Sequence, residues 1–463
     1  MAKTGAKTIT LDSLPDPDRI RRKLEMLPAS YADFRMFFGS SSLIRIKDRE
    51  IEAQSPTGFG MAIRALVNGS WGFASSNRAS SSSIDSLITS AMRLSRLSKG
   101  TDKLSSEKFS SRHVHVKAKV KQKSEDIGID EKAKKCLSLS KRMEIQNVAN
   151  TNVLLSDGSG TKTFVNSDGA FIEEETASFY LSLTSIAKSG SIMQGGHENI
   201  AARGGYEFMR NAEEKADIAA KKAVRMLSAK PAKKGSQTIV VDGKMAGVFA
   251  HEALGHAAEA DAILADNSIL KGKIGKKIGS PLVSIYDDAT AEGFGKFAYD
   301  DEGMPGQKKL IVGNGVLRGF LHSRATAGEL GVHATGNCRA GSYADFPIVR
   351  MSNTYFAKGE TSHEDIFDIR SGIYLKGMNG GSVEPLGGTF VFTAEEGYVI
   401  ENGELGSPLR DAMVSGHILE ALHRIEAVGK DFEDSPGFCG KMGQSVPVSD
   451  GGPHLRINGM LIG

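Results

Sequence analysis

Cysteine is scarce in this chain. The 463 residues hold three, Cys136, Cys338 and Cys439, widely separated and odd in number. Such spacing excludes a disulfide framework, suits a reducing compartment, and leaves a thiol free for metal or redox chemistry. Long apolar runs are missing too, and none approaches the roughly 20 residues that span a bilayer as a helix. The opening stretch, MAKTGAKTITLDSLPDP, lacks an apolar core of signal-peptide length. A soluble, cytoplasmic protein is therefore expected, with no membrane partner. Charge of one sign is also lacking: 58 Lys and Arg stand against 55 Asp and Glu, a net +3. That balance is too weak to argue for nucleic acid. No segment repeats at a period of roughly 20–50 residues, which excludes solenoids and propellers.

What is present begins with 40% hydrophobic and 24% charged residues, the mixture of a globular protein. The chain is too long for one ordinary core, so two domains are expected. The organising stretch is 236–261. Thr238 to Val241 is an apolar, β-branched run that reads as a buried strand. Asp242-Gly243 then turns the chain and offers Asp242 as a helix N-cap. Lys244 to Ala260 reads as one helix carrying His251, Glu252 and His256. Two imidazoles with an adjacent carboxylate are the groups used to hold zinc and deprotonate the water it activates. Glu252 is the candidate general base. The histidines are five residues apart, about 140° of rotation on a regular helix, so their rings would diverge. A one-residue π-bulge would let them converge, and Gly255 beside His256 would ease it. A third ligand must come from elsewhere.

The segment His251-Glu252-Ala253-Leu254-Gly255-His256, H-E-x-x-x-H, resembles the signature of the TldD/PmbA metallopeptidase family. Further stretches resemble that family's blocks in its order: DDEGMPGQ (300–307), GNGVLRGFLHSR (313–324), TGNCRAGSYADFPIVRMSNTY (335–355) and CGKMGQSVPVSDGG (439–452). The likeness is strong over the C-terminal half and general before it. It implies a TldD-type, metal-binding member, with Cys439 as the third ligand beside His251 and His256. It also implies a zinc peptidase acting on short or unfolded peptides inside a dimer. The partner it suggests is a metal-free PmbA-type paralogue, with a homodimer open. The alternative is a non-catalytic peptide-binding subunit of such a complex, against which the intact Glu252 and ligand set argue.

Other residues compete for roles. His322 is a candidate for substrate binding or oxyanion stabilisation. Glu259 and Asp261 are candidates to orient a ligand imidazole through its second nitrogen. His454 lacks any ligand-like context. The fold expected is α+β: an N-terminal α/β domain over 1–233 with helices packed on a sheet, then a strand-rich C-terminal domain over 234–463 carrying the metal-site helix. The linker AKPAKKG (229–235) marks the boundary. In the first half, helices are expected at 16–28, 84–97, 130–145 and 206–227. Strands are expected at 31–38, 43–46, 60–67, 70–74, 152–155, 162–165 and 170–186. Asn68-Gly69, Asp157-Gly158 and Asp168-Gly169 are read as turns. The lysine-rich segment 99–135 reads as a solvated surface stretch and 189–205 as a glycine-rich loop. In the second half, Asn314-Gly315, Asn402-Gly403 and Asn458-Gly459 read as hairpin turns. Few helices are expected there beyond the site helix.

Overall fold

Two long strands set the geometry of the first half, Tyr31–Lys47 and Val148–Asn166, paired antiparallel along 15 registered positions. The computed structural model describes residues 16–107, 109 and 113–463. The N-terminal stretch read for its lack of a signal-length core therefore lies, through residue 15, outside the described residues, as do four positions of the lysine-rich segment. The strand sequence across the sheet runs Ser70–Ser76, Thr57–Val67, Tyr31–Lys47, Val148–Asn166, Phe171–Ser189 and Val114–Val116; Glu50–Gln54 and Ile192–Ala202 pair alongside.

Several expected breaks are not breaks. Residues 31–38 and 43–46 belong to one continuous strand. Asp157-Gly158 sits inside a strand, where a Cβ on Gly158 would lie 2.5 Å from the Ser40 carbonyl oxygen. Close backbone approach, not a turn, selects that glycine. Residues 192–202 of the expected loop form an edge strand in register with Phe179–Ser189. Asn68-Gly69 does turn a hairpin, with φ of 52° and 74°. The helices Ser81–Leu94, Ile129–Met143 and Ala212–Met226 bury apolar faces on this sheet, and Cys136 is fully enclosed with Leu139, Met143 and Leu181.

The second half is strand-rich, and the chain as a whole is α+β. Gly235–Val241 pairs antiparallel with Leu455–Ile462 and parallel with Ser371–Glu384 in an eight-stranded sheet. A six-stranded sheet ends in the hairpin Glu433–Lys441 and Gln444–Gly452. Asn458-Gly459 is not a hairpin turn; it is a bulge inside the final strand, opposite the register shift at Gln237/Ile239. A large apolar cluster fills this half, with the Met245, Phe249 and Leu254 side chains of the site helix within it. Arg64, fully buried, ties the halves together by pairing with Asp33 and, at 3.3 Å, with Glu302.

Candidate metal centre

The site helix starts where Asp242 accepts the N–H groups of Met245 (2.8 Å) and Gly377 (3.0 Å). Gly243–Val248 is α-helical, Phe249–Gly255 is π-helical, and His256 donates its N–H to the His251 carbonyl. That i→i+5 bond stacks the fifth residue over the first. The two rings consequently meet with centroids 5.1 Å apart, at 87° to one another. Gly255 has an ordinary helical φ of −58°, so it is not there for backbone freedom. A Cβ at that position would sit 2.0 Å from Met351 Sδ, and packing explains it. Gly243 and Gly247 likewise press the helix onto Gly452 and Gly451 of the terminal hairpin. The helix is not single through Ala260: Glu259 is extended (ψ 121°), and a short helix, Ala260–Leu264, follows.

Cys439 reaches the histidines from the hairpin strand Glu433–Lys441, with Met442-Gly443 as its turn. Its Sγ lies 3.4 Å from His256 Nε2, and one donor atom from each of His251, His256 and Cys439 fits within 4.8 Å of the others. A tetrahedral zinc with Zn–S near 2.3 Å and Zn–N near 2.1 Å holds sulfur and nitrogen about 3.6 Å apart. The donor set therefore fits a zinc-sized ion. Burial alone would raise the Cys439 thiol, but the imidazoles of His251 and His256 outweigh it and bring it down to about 5. His256 is disfavoured as a cation by burial, yet the Glu259 carboxylate and the Cys439 sulfur carry it up to about 9. The spot where the three converge thus favours positive charge. Glu252 is half-exposed, with Oε2 4.0 Å from His256 Nε2, beside the donors but outside the group.

Residues 234–463 match the model of the PmbA/TldA metallopeptidase C-terminal domain, with the central domain and domain 1 matched over 119–227 and 32–95. The chain belongs to the PmbA/TldD metallopeptidase family. A metalloprotease of Methanocaldococcus jannaschii is 41% identical over 95% of this chain and 98% of its own length. A zinc metalloprotease TldD homolog of Saccharolobus solfataricus is 30% identical over 96% of this chain and 98% of its own. The fold is shared with TldE from Thermococcus kodakarensis, at a TM-score of 0.75 and 21% identity, over 96% of this chain and 98% of that one. Relatives of this PmbA/TldD chain are thus named as metalloproteases, which supports a metallopeptidase.

Around the histidine pair the chain builds a polar scaffold only partly visible in sequence. Glu259, fully buried, holds His256 Nδ1 at 3.0 Å and so turns Nε2 toward the sulfur. Asp261 does not touch an imidazole. It binds Lys441 Nζ at 2.7 Å, and Lys441 in turn holds Glu259 at 3.0 Å. On the other side, Asp450 Oδ1 lies 2.7 Å from His251 Nδ1. The contact is off the ring N–H direction, a charge pairing more than a linear hydrogen bond. Sequence reasoning missed both Lys441 and Asp450, although each sits in the 439–452 block; Lys441, two residues past Cys439 on one strand, points to the same face as the thiol. Arg350 also anchors the Cys439 carbonyl. His322 is not brought into the donor group. It is buried, and burial pushes its imidazole down to about 4, with Nδ1 3.4 Å from Thr326 Oγ1. His454 pairs with Asp431 and Tyr374.

Proposed function

We propose that the protein is a zinc-dependent peptidase for short or unfolded peptides, with His251, His256 and Cys439 as ligands and Glu252 as general base. The observation that carries this reading is the π-turn that lets two histidines five residues apart face one cysteine from the far end of the chain. Zinc held there by two neutral nitrogens and a thiolate supplies Lewis acidity toward a peptide carbonyl and lowers the pKa of water. Glu252, half-exposed at that position, takes the proton from the attacking water on its free carboxylate oxygen and passes it to the departing amine. Glu259 and Asp450 fix the two rings from behind, so neither imidazole needs to reorient during turnover.

The strand carrying Cys439 is the last of its sheet; Asn199 donates to its Pro436 carbonyl at 2.9 Å, and the stretch from Phe438 toward the turn is what offers a template for an extended peptide. Recognition of that kind reads main chain and makes little demand on side chains, which suits unfolded substrates. The TldE likeness supports assembly with a second chain of this fold, either a metal-free paralogue or another copy. Three free, buried cysteines suit a cytoplasmic setting.

Metal analysis of the purified chain, with hydrolysis of an unstructured peptide before and after chelation, tests this reading. About one metal per chain and chelator-sensitive cleavage are expected. Glu252→Gln should retain the metal and lose about 10²–10⁴-fold in rate. An active Glu252→Gln enzyme would remove the base, and a metal-free, active wild type would remove the mechanism.

A further inference from the structure

Between the long first-half sheet and the second half lies a cleft of about 510 Å³, within the size range of ligand sites. One wall is the face of the strands carrying Ser40, Ser159 and Ser178; the opposite wall includes Tyr299, Tyr343 and the Val446-Pro447 segment. Val446 is the cross-strand partner of Cys439, so the cleft begins one strand away from the thiol.

The charges in this cleft do not balance. Asp157 is bound to Lys132 at 2.8 Å, and Asp301 is shared by Lys162 at 3.2 Å and Arg35 at 3.7 Å. Asp300 spends its oxygens on the backbone N–H groups of Glu302, Met304 and Cys338. Two guanidiniums have no carboxylate within ion-pair distance, although Glu174 acts on Arg203, and Asp301 and Asp287 on Arg339, from farther off. Arg339 donates only to the carbonyls of Met351 and Pro447, at 2.6 and 2.7 Å. Arg203 has no hydrogen-bond or ion-pair partner among the described residues; its Nε is buried and unpaired, and its Cζ lies 5.5 Å from the centre of the Phe294 ring. Burial, with the nearby charge of Arg203 next, brings Arg339 down to about 9. A buried guanidinium beside a half-buried one, neither paired to a carboxylate in this open cleft, suits an anion.

We infer that this cleft is a subsite for a carboxylate of a bound peptide, its C-terminus or an acidic side chain, with Arg203 as anchor and Arg339 beside it. A carboxylate fits the fork of a guanidinium through two parallel N–H···O bonds. The serine hydroxyls and tyrosine rings along the walls suit an extended chain with both polar and apolar surface. The inference rests on the peptide reading above for the class of ligand, but not on the chemistry of cleavage.

Binding is tested by fluorescence anisotropy on the full chain carrying Glu252→Gln, so that substrate survives. Three forms of one labelled, unstructured peptide are compared: free C-terminal acid, C-terminal amide, and free acid with its internal Glu replaced by Gln. A loss of about tenfold or more on amidation assigns the C-terminus, and the same loss on Glu→Gln assigns a side chain. Equal binding of all three, or no binding of any, overturns the inference. This comparison needs no change in the cleft itself. Arg203→Gln and Arg203→Lys, checked for folding by circular dichroism, should respectively abolish and reduce the discrimination; discrimination retained in Arg203→Gln would also overturn it. Cleavage without carboxylate discrimination would leave the peptidase standing and remove the subsite. Discrimination without cleavage in the wild type would do the reverse.

Discussion

Gly247→Ala is the sharpest test of how the metal centre is held, because two physical effects give it opposite signs. Alanine is the better helix former by about 1 kcal/mol, so a helix free to move would be stabilised. The new Cβ, however, would lie 2.3 Å from Gly451 N and 2.7 Å from Asp450 C, both backbone atoms with no side chain to swing aside. Ordinary contact needs about 3.5 Å, so helix and strand must separate by roughly 1 Å. Overpacking of this kind costs about 1–3 kcal/mol. The displaced strand carries Asp450, and its hairpin partner carries Cys439. A separation of that size lengthens the 3.4 Å Sγ–Nε2 approach past the roughly 3.6 Å that tetrahedral zinc sets between sulfur and nitrogen, and so weakens the site. Metal affinity should fall by tenfold or more, and the chelated protein should melt a few degrees lower. The assay is a competitive chelator titration with thermal unfolding of the metal-free form. Gly128→Ala, where a Cβ meets nothing within 4 Å, serves as control. A Gly247→Ala protein that melts no lower and binds metal as tightly would refute the argument that helix–hairpin contact sets the ligand geometry.

Lys441→Met removes the cation shared by Glu259 and Asp261, leaving two carboxylates facing each other; metal affinity should fall about 10–100-fold with a lower melting temperature. Once chelated, the protein should be alkylated at Cys439 before Cys136 or Cys338, and zinc should protect it; burial pushes Cys136 up to about 12 and raises Cys338, while the imidazoles hold Cys439 near 5. Peptide mapping by mass spectrometry reads the order, and equal labelling of all three would contradict it. Glu198 is raised by burial, but Lys222, Lys244 and Lys215 outweigh that and bring it to about 2 from an ordinary 4.5. Its folded pKa is depressed, so its contribution is complete above about pH 4.5 and is lost as pH falls from there toward 2. Urea unfolding between pH 6 and 3 should show that slope flattened in Glu198→Gln; an unchanged slope would exclude this carboxylate as its source.

The donor motif could be read from the chain because its chemistry is local: two imidazoles and a carboxylate within six residues, with a spacing that demanded a π-turn. That turn is present. The reason offered for Gly255 was not legible, since its neighbour Met351 lies nearly a hundred positions away and only the fold brings them together. Lys441 and Asp450 were hidden for the same reason: each acts on a residue from the distant site helix or its end. In the first half an Asp-Gly pair reads as a turn, which shortens the expected strands. At Gly158 the glycine marks a neighbouring backbone pressed close, a signal that looks identical in sequence. Residues 189–205 read as a loop for a related reason; the polar, glycine-rich composition of 192–202 belongs to an edge strand paired on one side. Helix positions fared better, since capping residues announce them: Asp16, Ser80 and Asp242 each accept an N–H from the first turn.

The pairing of Gly235–Val241 with Leu455–Ile462 carries a consequence for synthesis. The imidazoles leave the ribosome long before the sulfur, which follows 183 residues after His256. The late donor is set against the early pair by the Arg350 contact and by the hairpin packed on the site helix, and the final strand then closes the sheet that launches that helix. On the zinc reading, a metal ion would therefore be taken up late in maturation, a seal set on a nearly finished molecule, and a nascent chain stalled before Cys439 should emerge without one.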